Sequence, residues 1–260
     1  MVCRFAPAAP LGLATVAVAL MGFSGSRYRA GINPTVASHL EYAGTAAREG
    51  RTAEAGGYAQ ALLIGEEITY ALAVDPASEP HRASATAALE AAAQTWRTAL
   101  DGSVTIRPAR PGETPNLVIH FEPDVQIEGH PVSGYIKWRR EIQRSADGRW
   151  TGSFEGQVFA RTAFRGKPMT VDAMRCCLGH EMGHMFGLPD SPPNGETGIM
   201  GPLNMGRPMT EPSETEIETV RRIRSDAAEI GRMASAGEMR QAIIELEAAG
   251  NGCDHAHARE

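Results

Sequence analysis

His180-Glu181-Met182-Gly183-His184-Met185-Phe186-Gly187-Leu188-Pro189-Asp190 is the stretch on which the reading of this chain turns. On a helix, residues four apart lie one turn apart on the same face. His180 and His184 can therefore aim two imidazoles at one tetrahedral metal. Glu181 stands at the edge of that face, where its carboxylate reaches a water on the metal without being a ligand itself. That division of labour suits hydrolysis: zinc lowers the pKa of its water, the carboxylate takes the proton, and the oxygen attacks a carbonyl that the metal polarises. A His-Glu-x-x-His string alone is only moderately specific, because paired histidines also cap and pack helices, so the residues after it decide. Gly187 lets the backbone leave the helix in a sharp turn that a side chain would hinder. Leu188-Pro189 ends the helix, and the chain returns Asp190 towards the same point. The expected metal ligands are His180, His184 and Asp190, with Glu181 as general base.

Working outward, the helix bearing these residues spans roughly 171–187. Before it, residues 83–100 carry a helical apolar stripe (Leu89, Ala92, Trp96, Leu100) ended by Asp101-Gly102. Residues 104–106, 117–121, 134–141 and 152–161 then cluster β-branched and aromatic residues between Pro and Gly breaks, as strands do. After the helix comes a Gly/Pro/Asn-rich loop to Pro212. A further helix opens with the capping box Ser213-x-x-Glu216 and continues through Ile217, Val220 and Ile223. Residues 238–249 predict a separate short helix, and 251–260 a polar tail whose His255 and His257 are solvated. Towards the N-terminus, residues 34–75 are rich in Ala, Glu and Leu, with breaks at Gly50, Gly56-Gly57 and Asp75-Pro76, which predicts an antiparallel helix pair. Residues 27–82 form either an N-terminal helical segment or a pro-region.

At 260 residues, with 42% hydrophobic and 22% charged, the chain can pack one main domain and lies far from the composition of disorder. A formal charge of -6 leaves no broad basic surface for phosphates, which excludes nucleic acid as a partner class. Arg4, the apolar run 11–23 and the small residues Ser24-Gly25-Ser26 predict a cleaved signal peptide over 1–26. The alternative, a membrane anchor, is shortened by Pro7 and Pro10 below the roughly 20 residues that span a bilayer. The mature chain is expected to be secreted or periplasmic, without stable membrane association. Cys3 leaves with the signal. Cys176, Cys177 and Cys253 remain, either as one bridge from Cys253 to one of the adjacent pair or as three unpaired thiols.

The extended motif resembles that of the metzincin zinc endopeptidases, in which a third ligand stands six residues after the second histidine and a later turn carries a buried Met. Most of that clan has His where this chain has Asp190. The Asp-ended form is similar to that of the snapalysins, small secreted bacterial metzincins. Met200, in Gly198-Ile199-Met200-Gly201, stands at a suitable distance for the Met-turn, with Met205 as the alternative. The segments 117–121 and 132–138 are similar to matrixin-like bacterial proteases, and the resemblance covers roughly 83–225.

The resemblance implies an α+β, metzincin-like zincin fold with a mixed twisted sheet, an active-site helix and a C-terminal helix. The catalytic domain would span 83–230, followed by a C-terminal helix and tail over 231–260. It implies a zinc metalloendopeptidase with Zn2+ as cofactor, structural roles for Gly187 and Met200, and a monomer acting on protein or peptide substrate. Substrate would add as a strand along the sheet edge, which the resemblance places at 152–161, with the loop 201–208 as a specificity wall. Where the clan often has a Tyr two residues after the Met, this chain has Pro202. One rival reading is a gluzincin-type peptidase taking its third ligand from Glu211, Glu214 or Glu216; Gly187 speaks against it, since gluzincins continue the helix. Another is a secreted binding protein on an inactive protease fold; Glu181 speaks against that, since a non-catalytic metal site has no need of it.

Overall fold

Leu117, Ile119 and Phe121 are buried and alternate with half-buried Val118, His120 and Glu122, the period-two pattern of a strand covered on one face. In the computed structural model, which describes residues 31–191, 198–204 and 206–250 and side chains as far as 237, this strand lies at the centre of a five-stranded sheet. The expected signal peptide, Met205, Cys253 and the tail 251–260 lie outside the described residues.

The elements in chain order are α1 (Pro34–Arg48), α2 (Thr52–Leu63), β1 (Glu67–Val74), a 3-10 turn (Pro76–His81), α3 (Arg82–Ala99), β2 (Thr105–Pro108), β3 (Leu117–Glu122) and the hairpin β4 (Val125–Ile127) and β5 (His130–Val132). They continue with β6 (Gly134–Arg144), β7 (Trp150–Arg161), the short pair β8 (Ala163–Phe164) and β9 (Lys167–Pro168), α4 (Val171–Met185) and α5 (Glu214–Gly250). The fold is α+β. The sheet runs β2-β1-β3-β7-β6, with β1 parallel to β2 and β3, β7 parallel to β3, and β6 antiparallel to β7.

Three expectations change. First, the helix pair stops at Leu63, because Ile64 and Gly65 both turn left-handed (φ 61° and 79°). Glu67–Val74 is then a strand hydrogen-bonded between β2 and β3. Residues on both sides of the expected boundary at 82/83 thus share one sheet, and β1 cannot be removed as a pro-region without opening it. Second, the edge strand is β6 and not 152–161: the two form a hairpin through the turn at Ser145 to Gly148, and β7 takes the inner place beside β3. Third, α5 is one helix of 37 residues that crosses both the expected boundary at 230/231 and the expected break. Gly231 and Gly237 face α2: a Cβ on Gly237 would sit 2.3 Å from Thr52 Cγ2.

Two apolar clusters result. In the first, α3 (Leu89, Ala92, Trp96) and α4 pack on the sheet face bearing Ile68, Leu117, Ile119, Phe121 and Val158. In the second, α1, α2 and α5 close on one another through Leu40, Ala59, Leu62, Ile223 and Ala227, and Trp138 of β6 packs against both clusters. Arg140, buried beside Trp138 with its guanidinium 4.5 Å from that ring, ties the parts together. Its Nε donates to Ala61 O at the end of α2 (3.1 Å) and its Nη2 to Met185 O at the end of α4 (2.8 Å). No helix among the described residues is long and apolar enough to cross a membrane.

Candidate metal centre

Helix α4 starts where Thr170 caps it, its hydroxyl accepting from Ala173 N, with Asp172 favourably placed in the first turn. It ends in a Schellman arrangement: Leu188 N donates to Gly183 O and Gly187 N to His184 O, both at 3.0 Å. Gly187 has φ 100°, and a Cβ there would meet Ile223 at 3.0 Å and Val36 at 3.1 Å. Its carbonyl accepts from Asn33 N (2.8 Å), so α1 holds the helix exit from behind. Glycine is required for the dihedral and for the space.

This exit brings Asp190 back over the helix. Asp190 Oδ1 lies 3.1 Å from His180 Nε2 and 3.4 Å from His184 Nε2. The two rings stand nearly perpendicular, at 88°, with centres 4.8 Å apart. The three ligand atoms lie within 4.8 Å of one another, the one such group of His, Cys, Asp or Glu among the described residues. The far nitrogens are fixed by backbone carbonyls: His180 Nδ1 donates to Ile199 O and His184 Nδ1 to Leu188 O, each at 2.9 Å. A carbonyl only accepts, so both hydrogens sit on Nδ1 and both Nε2 lone pairs are left for a cation.

In the metal-free site a proton on His180 Nε2, bonded to Asp190 Oδ1, takes part of the place a cation would fill. The His180 hydrogen bond holds the Asp190 carboxyl below its usual range. At His180, burial pulls the imidazolium down but the Asp190 hydrogen bond and the Glu181 charge outweigh it, so its pKa is raised. At His184 burial wins and the ring stays neutral more readily. Two imidazoles and a carboxylate fit a zinc-type ion, and its binding would displace a proton.

Glu181 is buried and stands outside the ligand group; burial pushes its carboxyl up to about 7, although the backbone N–H of Ile136 on β6 donates to it. Beside it opens a cleft of about 220 Å³ between the start of β6 (Ser133, Gly134), α4 (Cys176, Cys177, His180) and residues Gly201 to Leu203. Cys176 and Cys177 are unbridged and buried. Burial raises Cys176 to about 11 and holds Cys177 well above its ordinary value, and Cys177 Sγ donates to Ser133 O (3.2 Å), so these thiols stay protonated. The bridge considered for Cys253 falls on a residue outside the described ones.

Met200 lies buried under α4 against Gly183, where a Cβ would come within 2.2 Å of Met200 Sδ. Its turn touches two ligands: Ile199 O orients His180, and Met200 O accepts from Ser191 N (2.9 Å), next to Asp190. What holds the turn is a residue whose sequence position marks only a helix cap or a rival ligand. Buried Glu216 accepts from Ile199 N (3.1 Å), Met200 N (3.0 Å) and Ser213 N (2.7 Å). The capping box was a visible signal, but its second duty depends on a turn sixteen residues away. Glu211 pairs with Arg175, and Glu214 is exposed on the first turn of α5, so none of the three rival glutamates joins the converging group.

Glu216→Ala leaves three backbone N–H donors without their acceptor. We expect a loss of about 3 kcal/mol in urea unfolding, against less than about 0.5 kcal/mol for exposed Glu214→Ala. Equal losses would remove Glu216 from this role.

No protein-family model matches the chain, and no curated protein matches it.

Proposed function

We propose that this chain is a secreted or periplasmic zinc-dependent endopeptidase of metzincin type. The observation that carries the reading is the convergence of His180 Nε2, His184 Nε2 and the Asp190 carboxylate beside a buried, non-ligating Glu181. Zinc, held by those three residues, would supply Lewis acidity towards a peptide carbonyl and acidify the attacking water. The Glu181 carboxylate accepts the proton of that water and returns it to the leaving nitrogen. Ile136 N–H keeps the carboxylate at the edge of the sheet. The antiparallel edge strand β6 offers its free side to an extended peptide, which main-chain hydrogen bonds would hold across the cleft. The left-handed exit at Gly187 and the placement of Met200 support the metzincin form over one whose helix simply continues. The apolar run at 11–23 supports export.

The test is removal of the metal. Purified full-length chain should digest casein, lose that activity after dialysis against a chelator, and regain it on addition of one equivalent of zinc. Digestion that persists in metal-free protein would overturn the reading.

A further inference from the structure

On the face of the sheet away from α4, three rings form a ladder across adjacent strands. His120 of β3 stands opposite Phe159 of β7, and Phe159 opposite Tyr135 of β6. His120 and Phe159 stack at 4.4 Å with planes 7° apart, and Phe159 and Tyr135 at 4.7 Å and 15°. These spacings match the separation of neighbouring strands, about 4.8 Å, so the stacking axis runs across the sheet and ends at its free edge. Tyr135, half-buried, is the last rung.

Lys137, two residues along on the same face, leaves the outer side of that ring open. Its Nζ is 5.4 Å from the Tyr135 ring centre and 5.5 Å from that of Phe159. Near-equal distances to two rings 4.7 Å apart put the ammonium over their common rim; on the outer face of Tyr135 it would stand much further from Phe159. Among the described residues, no other ring or cation stacks on Tyr135. The residues on either side of Tyr135 belong to the site: Gly134 lines the cleft and Ile136 N–H holds Glu181.

We propose that Tyr135 is a specificity-determining residue: a peptide added to the edge of β6 places a side chain one strand spacing from Tyr135, and an aromatic ring there extends the ladder by a fourth rung. The ligand class is an extended peptide with Phe, Tyr or Trp at one fixed position near the scissile bond. This rests on the endopeptidase reading. Flat, parallel rings discriminate here because a stacked pair gains attraction beyond the area it buries, whereas an aliphatic or small side chain gains only the area.

The experiment digests a mixed peptide library with the full-length, zinc-loaded chain and reads the cleavage sites by mass spectrometry. The expected result is enrichment of aromatic over large aliphatic residues at one position, kept in Tyr135→Phe and lost in Tyr135→Ala and Tyr135→Leu. For a peptide pair differing only by Phe or Ala at that position, kcat/KM should differ by about tenfold more in the wild type and Tyr135→Phe than in the other two, where only buried area separates the pair. The same pair, titrated calorimetrically into Glu181→Gln, should show about the same ratio in Kd, which places the effect in binding. Tyr135→Leu keeps a large strand-forming side chain, so a folding failure of Tyr135→Ala leaves the test intact. Digestion without aromatic enrichment, or with enrichment that survives in Tyr135→Leu, overturns the subsite and spares the endopeptidase reading. No digestion by wild type or variants overturns that reading and the subsite with it.

Discussion

Glu181→Gln is expected to hold zinc as the wild type does and to cleave peptides at least about a thousandfold more slowly, the range for loss of a positioned general base. The carboxylate is absent from the group that converges on the metal position, so its removal takes away the proton acceptor and leaves the ligands in place. Wild-type turnover in the metal-loaded variant would sink the mechanism. The substitution has a second, independent consequence. Burial raises the folded-state pKa of Glu181 to about 7, above the ordinary carboxylate value it has when unfolded. The folded state thus holds this proton more tightly, so its contribution favours folding at low pH and is lost as pH rises through about 7. A neutral glutamine escapes that loss. In metal-free protein, Glu181→Gln should therefore raise the melting temperature at pH 8 and change it little at pH 4; equal effects at both would show that the carboxylate is not buried as described.

Asp190→Ala should weaken zinc binding at least about tenfold and abolish proteolysis. Asp190 is the most exposed of the three ligands, and it alone reaches both imidazoles. Its carboxylate also offsets the charge of a bound cation, which neutral imidazoles cannot do. The control follows from the geometry: Glu214→Ala, on the exposed start of α5, should keep full zinc content and activity. Metal analysis after dialysis decides between them. Stoichiometric zinc in Asp190→Ala would place the third ligand elsewhere.

The convergence of His180, His184 and Asp190 was legible because their spacing is local. His180, Glu181, His184 and Asp190 lie on one helix and the turn that ends it, and a single glycine with φ 100° brings the last of them round. Strands with strong alternation, such as 117–121, were legible for the same reason. What escaped the sequence was long-range. The segment Glu67–Val74 has composition suited to either element, and only its two parallel neighbours make it a strand. Which member of the β6–β7 hairpin faces outward depends on β3, a separate strand. The continuity of α5 past the expected boundary at 230/231 depends on α2, which presses against its glycines. Glu216 reads as a cap until the turn around Met200 is brought to it.

The clasp of Glu216 on that turn bears on when the centre can exist. The turn orients His180 and adjoins Asp190, its clasp comes from the last helix, and that helix packs on the first two. Contacts between the two ends of a chain are the slowest to form, since the loop they close is the longest. A polypeptide emerging from its N-terminus carries both histidines and the glutamate well before it carries residue 216. Until α5 docks, the turn that orients His180 lacks the carboxylate that clasps its backbone, and the first two helices lack the third that packs on them. The His180, His184 and Asp190 group is therefore expected to reach its final geometry only once α5 has docked.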